Sequence, residues 1–288
     1  VISELYHYTN AAALIHIVQN RELWATQSNY LNDPTEITFG ARALALRLAE
    51  TPAPSGRPED LLIRAGVLLE EQYFDAHSAD LVVEERSFVT SFSRSDESLT
   101  LWRLYAGRNG FAIGFDQDIL LAWLNNSNFF PLDGASEEDE AIKSNYQLFG
   151  SVEDVIYGET DLEHLVREIQ SLNADELKRD QLDTELRSVF QKLSYRKHDA
   201  FADEREARLV IRIVGHHALD ARVRVSGTGS LVSYRTFNFP REAIRSITMA
   251  PSANASQQRR ALESLLSDGD RGSYSHVEIR ESALPFNW

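Results

Sequence analysis

Two glutamates one residue apart stand near the start of FADEREARLVIR, residues 201–212, and this pair of carboxylates is the clearest chemical signal in the chain. In an extended chain alternate side chains share a face. Glu204, Glu206, Arg208 and Val210 are therefore expected on one side, with Arg205, Ala207, Leu209 and Ile211 on the other. Paired carboxylates serve as catalytic acid and base or as metal ligands. With Arg208 beside them they also read as a surface ion pair of small energetic worth. Two further polar clusters come earlier. In LYHYT, residues 5–9, Tyr6 and Tyr8 share one strand face while Leu5, His7 and Thr9 share the other. In TSFSR, residues 90–94, Ser91 and Ser93 face away from Phe92, and Trp102 and Tyr105 follow one helical turn apart. Each cluster has a structural reading: a hydrogen-bonded strand histidine, and a strand end whose Ser95 or Asp96 caps the next helix.

Several chemistries find no counterpart in the sequence. The chain has 288 residues and no cysteine, which removes disulfides, thiolate metal sites and a cysteine nucleophile. The eight histidines fall at no spacing of the His-Glu-x-x-His kind. GRNGFAIGF carries glycines before a strand, where a phosphate-cradling loop precedes a helix. No Ser-x-x-Lys or Gly-x-Ser-x-Gly context surrounds Ser91 or Ser93. A formal charge of -15 argues against holding long nucleic acid by bulk charge, because that requires clustered Lys and Arg. No run approaches the roughly 18 apolar residues of a membrane span. The start, VISELYHYT, lacks a basic-then-apolar leader, and a cytoplasmic location is expected.

The elements that must position these residues follow from pattern. LYHYT reads as a strand, with Thr9 or Asn10 capping the helix AAALIHIVQN, whose Ala13, Leu14, Ile17 and Val18 form a stripe. RELWATQ reads as extended, SNYLNDPTE as turns, FGARALALRLAE as helix, PAPSGRPE as a loop, and residues 60–82 as a second long helix. RSFVTSFSR, GFAIGFD, ARVRVS, LVSYRTFNF, IRSITMAP and YSHVEIRE are expected strands, and SLTLWRLYAG and QQRRALESLLSD expected helices. Residues 116–200 read as a mostly helical insertion with one strand at SVEDVIYG, a solvated acidic loop at GASEEDEA and a continuous helix over 160–195. That insertion is the expected docking face for any partner protein. Strands at both ends with helices between them predict a single α+β domain over residues 1–288, with a split near 116 as the alternative.

The order LYHYT, NDPTE, SFS, LWRLYAGRNGFAIGFD, EREARLV, IRSITMAP resembles a bacterial family known as domain of unknown function 2971. Late in the chain, Glu204, Glu206, Arg208 and Leu209 fit its Glu-x-Glu-x-x-Arg-Leu-like wording when one spacing step is relaxed. More distantly, a polar residue on the first strand, a Ser-x-Ser strand and a later Glu-x-Glu strand are similar in order to ADP-ribosyltransferases. This second resemblance implies a mixed, mostly antiparallel, strongly bent sheet and NAD as the substrate. Under it Glu206 stabilises the ribosyl cation and Glu204 orients or deprotonates the acceptor. His7, Tyr8 and Thr9 lie on the strand that holds NAD, Ser91 or Ser93 fixes the glutamate, and Tyr30, Trp102 or Tyr105 stacks on nicotinamide. Arg103 or Arg94 meets the pyrophosphate. The acceptor is a protein or a nucleic acid, and a role as toxin or antiphage effector follows by analogy. Two other readings use the same residues. In one, a metal-dependent nucleic-acid-processing enzyme adds Asp33 and Glu36 as carboxylates. In the other, a non-catalytic sensor or interaction module keeps the charges as a solvated network.

Overall fold

Asn10 ends the first strand and starts the first helix: its side chain accepts a hydrogen bond from the Ala13 amide at 3.0 Å, and Arg21 closes that helix in the left-handed region at φ 54. Such local signals punctuate a computed structural model that describes residues 3–27, 30, 34–51, 60–73, 85–126, 147–159, 161–172, 177–214, 222–226, 229–251, 254–267 and 273–285. In chain order the elements are β1 (Glu4–Thr9), α1 (Ala11–Asn20), β2 (Glu22–Gln27), α2 (Pro34–Glu50), α3 (Asp60–Tyr73), β3 (Glu85–Ser93) and α4 (Leu99–Leu101). A π-helical turn (Trp102–Ala106) continues α4 and leads to β4 (Phe111–Asp116), α5 (Gln117–Asn126), β5 (Gln147–Asp154) and β6 (Ile156–Tyr157). Then come α6 (Leu162–Ser171), α7 (Arg179–Gln191), β7 (Arg196–Lys197), β8 (Glu206–Val214), β9 (Arg222–Val225), β10 (Leu231–Asn238), β11 (Ile244–Met249), α8 (Ala255–Leu266) and β12 (Glu278–Glu281).

The chain divides into two compact units, one of residues 1–27, 85–154 and 203–288, the other of residues 28–84 and 155–202. The first is a mixed α+β unit built on a mostly antiparallel sheet, ten-stranded among the described residues, in which β11 and β12 pair parallel. One face of the sheet carries the main core, where Leu5, Phe88, Phe92, Ile113, Phe115, Leu209 and Ile211 meet Leu14, Ile17 and Val18 of α1, Leu120 and Leu124 of α5, and Leu262 of α8. The opposite face packs Tyr8 and Ala112 against Leu101, Trp102 and Ala106.

The sheet branches at β3. One edge of β3 pairs with β8 along its whole length, from Glu85↔Val214 to Ser93↔Glu206. The other edge is shared: Ser93 pairs with Tyr6 of β1, whereas Val89 and Phe88 pair with Thr26 and Gln27 of β2. The registers give Thr90, Ser91 and Phe92 no strand partner on that edge. Side chains fill in, since the Thr90 hydroxyl donates to the Trp24 carbonyl at 3.2 Å and His7 Nδ1 to the Ser91 carbonyl at 3.1 Å.

The second unit is a helical cluster in which Leu44 and Leu48 of α2, Leu68 of α3, Leu165 and Ile169 of α6, and Leu186 and Phe190 of α7 are buried together. Its helices come from two separate stretches, and one is the 60–73 part of the long helix expected there. Within residues 116–200, α5 and β5 belong to the first unit, while α6 and α7 belong to the second. The helix expected to be continuous over 160–195 is two helices: α6 ends at Ser171, and α7 starts afresh where the Lys178 amide donates to Gln181 Oε1 at 3.1 Å. Apolar spacing runs through such a break without registering it. The loops expected at PAPSGRPE and GASEEDEA, together with Asp33 and His216–His217, lie outside the described residues.

Candidate functional site

Register decides which side chains share a surface. Directly opposite residues in an antiparallel pair point to the same face. Tyr6↔Ser93 and Ser93↔Glu206 therefore put Tyr6, Tyr8, Ser91, Ser93, Glu206 and Arg208 on the face opposite the main core. His7 pairs with Ile113 and lies with Leu5 and Thr9 on the core side, its ring edge-on to Phe92 at 5.7 Å. Burial pushes the His7 pKa down, and the Ser91 carbonyl bond opposes this only in part.

At the centre of the polar face the Ser91 hydroxyl donates to Glu206 Oε1 at 2.6 Å. Arg208 grips the same carboxylate with two hydrogen bonds, Nε to Oε1 at 2.8 Å and Nη2 to Oε2 at 3.1 Å. Glu206 is 6% and Arg208 2% exposed, while Ser91 is exposed. A bidentate arginine fixes the carboxylate plane, and a hydroxyl on the solvent side completes its orientation. Ser91 thus links two chains of contact, its carbonyl to His7 and its hydroxyl to Glu206.

The alternation expected to unite Glu204 with Glu206 stops one residue short. Residues 199–204 form 3₁₀ turns, Arg205 adopts φ 43, and the strand begins only at Glu206. Glu204 is buried, and its carbonyl accepts the Ser93 hydroxyl at 2.7 Å, while the Arg205 carbonyl accepts the Arg94 amide at 2.8 Å. Ser93 therefore pins the strand entrance, and Ser91 alone of the two serines reaches the Glu206 carboxylate.

The aromatic residues separate in the same way. Tyr8 donates to the Ser95 carbonyl at 2.9 Å and accepts from the Ser98 amide at 3.0 Å, and burial raises its pKa far above the ordinary phenol value. Tyr6 is likewise pushed up to about 12, by burial first and then by Glu4 and Asp96. Trp102 is fully buried edge-on to Tyr8 at 4.9 Å, and its indole nitrogen is buried without a hydrogen-bond partner. Thr9 is buried, Tyr105 is 44% exposed on the π-helical turn, and Tyr30 belongs to the second unit. Trp24 is the aromatic residue that sequence reasoning missed. It is 40% exposed on β2, its carbonyl accepts from Thr90 beside Ser91, and the Thr26↔Val89 register puts its side chain on the Glu206 face. Only the pairing of β2 with β3 reveals this, because nothing in ELWATQ marks Trp24 as more than a strand residue.

Arg94 binds Asp154, Ser3 and Gln117, which occupy its guanidinium, and Arg103 stands in the π-helical turn beside Trp102. Glu36 lies within α2, in the second unit, and among the described residues no group of three or more His, Asp or Glu side chains converges as a metal site. A cleft of about 350 Å³ lined by Asn20, Arg21, Trp123 and Arg241, among others, includes none of the residues around Glu206. Among the described residues no helix is long and apolar enough to cross a membrane.

The glycines of AGRNGFAIGFD build the bend between the π-helical turn and β4. Gly107 takes φ 71 and its amide closes the turn on the Trp102 carbonyl at 2.8 Å. Gly110 passes so close to Ala106 that a Cβ there would lie 2.2 Å from the Ala106 carbonyl oxygen. This segment falls inside the part of the chain with a known counterpart. Residues 101–209 match the DUF2971 family, described as a protein of unknown function. The resemblance read from the sequence is to that family. The DUF2971 match takes in Trp102, the glycine bend, Glu204, Glu206 and Arg208, whereas His7, Ser91 and Ser93 lie outside it. No curated protein and no solved structure matches the chain.

Proposed function

We propose that this chain cleaves NAD at the nicotinamide–ribose bond and passes the ADP-ribosyl group to an acceptor, with Glu206 as the carboxylate beneath the ribose. The forked sheet is, in this reading, the strongly bent sheet of an ADP-ribosyltransferase-like fold. The observation that supports it is the 2.6 Å bond from exposed Ser91 to buried Glu206, which orients the carboxylate directly beneath a solvent-exposed hydroxyl.

The chemistry is a heterolysis. The C–N bond breaks, its electron pair leaves with neutral nicotinamide, and positive charge develops on the ribose. A fixed carboxylate stabilises that charge more than the ground state, which is the requirement for catalysis. The acceptor nucleophile then bonds to the ribosyl carbon and loses its proton to solvent water. Glu204 enters through its carbonyl, which holds Ser93 and so the start of β8. The acceptor is a protein side chain, a nucleic-acid group or water.

The bidentate Glu206–Arg208 pair favours a second reading, a non-catalytic module in which the same residues only fasten β8. One comparison separates the two. The full chain is incubated with labelled NAD and pools of protein, DNA and RNA, and nicotinamide release and label transfer are measured for wild type and Glu206→Gln. The proposal expects release to fall by roughly a hundredfold or more in the variant. Release that survives the substitution excludes Glu206, and a wild type that neither binds nor cleaves NAD refutes the function.

A further inference from the structure

Arg224 stands among aromatic rings where a buried guanidinium ordinarily meets a carboxylate. It lies on β9, its Nη2 donates to the Thr26 hydroxyl at 2.8 Å, and its guanidinium carbon is 5.7 Å from the ring centres of both Trp24 and Tyr234. Its Nε is buried with no hydrogen-bond partner, and among the described residues no carboxylate forms a salt bridge with it. Partial burial pulls its pKa down, the direction expected when a cation loses water without gaining an anion.

The surroundings define what would complete this site. Trp24 and Tyr234 pack with ring centres 5.0 Å apart and planes tilted by 44°. Tyr234 is buried beneath, and Trp24 is 40% exposed with its indole nitrogen tied to Glu22 Oε1 at 2.9 Å. The ring is thereby held in place with part of its surface turned to solvent. The registers Tyr234↔Thr26 and Thr26↔Val89 place the cluster on the face that carries Ser91 and Glu206. A guanidinium with unused donors asks for a multidentate anion, and an anchored indole beside it asks for a flat ring.

We propose that Trp24 and Arg224 form a binding site for a nucleoside phosphate, the base stacking on the Trp24 indole and the phosphate accepting from Arg224. Tyr234 supports both groups from below, and Thr26 holds the guanidinium in register. The ligand is a free nucleotide or a nucleotide within a single strand, and the site does not depend on cleavage of NAD. A phosphate adds the charge-assisted bonds that Arg224 lacks, which accounts for a cation kept half-buried at an exposed sheet end.

The test is calorimetric titration of the full chain with ADP, adenosine and a short single-stranded oligonucleotide. ADP is expected to bind at least about tenfold more tightly than adenosine. Arg224→Gln should weaken ADP roughly ten- to a hundredfold and leave adenosine nearly unchanged. Trp24→Leu, at an exposed position that leaves Arg224 intact, should weaken both ligands roughly fivefold or more and covers the case in which Arg224→Gln fails to fold. An oligonucleotide that binds well above ADP assigns the strand as the source, and the reverse assigns the free nucleotide. Equal affinity for ADP and adenosine in the wild type, or ADP binding unchanged in both variants, overturns the proposal. ADP binding without nicotinamide release keeps this site and rejects the NAD reading. Release without ADP binding does the opposite.

Discussion

Replacing Ser91 with alanine separates catalysis from structure more cleanly than any change to the buried pair. The hydroxyl donates to the Glu206 carboxylate at 2.6 Å, and Ser91 itself is exposed. Ser91→Ala opens no cavity, and water takes the vacated position, so the cost in stability is small, about 0.5–1 kcal/mol. On the proposed reading, NAD covers that position in the bound state and water no longer substitutes. The lost charge-assisted bond then counts at its full worth of about 1.5–3 kcal/mol. At about 1.4 kcal/mol per factor of ten, this is a fall of roughly ten- to a hundredfold in the rate of nicotinamide release. Because Ser91 acts by positioning Glu206, the loss should appear in kcat with KM little changed. The measurements are steady-state nicotinamide release and urea denaturation on the same preparation, with Ser91→Thr, which keeps a hydroxyl, restoring most of the rate. A Ser91→Ala enzyme with wild-type kcat refutes the argument, and so does a rate loss that Ser91→Thr fails to rescue.

The fold around the site makes two further predictions. His7 has a folded-state pKa below its unfolded value of about 6.5, so its neutral form contributes stability that is fully present above about pH 6.5 and is lost as pH falls through the folded pKa. Urea midpoints measured from pH 7 to pH 5 should therefore fall more steeply for the wild type than for His7→Gln, and parallel curves would contradict the assignment. At the glycine bend, Gly110→Ala drives a Cβ onto the Ala106 carbonyl and should cost about 1–3 kcal/mol or more. Gly107→Ala meets no atom within 4 Å and carries only the strain of φ 71 with ψ -175, a region nearly reserved for glycine, about 1–3 kcal/mol. Thermal melts should rank Gly110→Ala as the less stable of the two, and the reverse order would refute the packing argument.

Local signals in the sequence carried well wherever the structure is itself local. The Asn10 cap, the α1 stripe and strands β1, β2, β3, β4, β10 and β11 stand where capping residues and alternation place them. Glu206 and Arg208 share a face as alternation requires, because both lie within β8. Glu204 does not join them. The turn that breaks the pattern is made by Arg205 at φ 43, a conformation that an arginine does not advertise as a glycine would. The facing of His7 was visible in alternation, but its separation from Glu206 depends on Ser93 pairing with both Tyr6 and Glu206. Trp24 and Arg224 are farther still from legibility, since their proximity runs through three strands and two registers.

A buried glutamate–arginine pair is by itself weak evidence for stability or for catalysis, since desolvating both ions offsets much of their attraction. The third partner and its place in the sheet are what give this pair meaning. Ser91 stands where β3 has left β2 and has not yet met β1, so its carbonyl is served on that edge by the His7 ring, while the Thr90 hydroxyl serves the Trp24 carbonyl of β2. A sheet selected for stability alone would close this gap with ladder hydrogen bonds, which need no side-chain substitutes. Leaving Thr90, Ser91 and Phe92 without a strand partner on that one edge, among the described residues, is a local cost beside an oriented carboxylate. The open edge exposes the Ser91 hydroxyl on one side and borders Trp24 on the other.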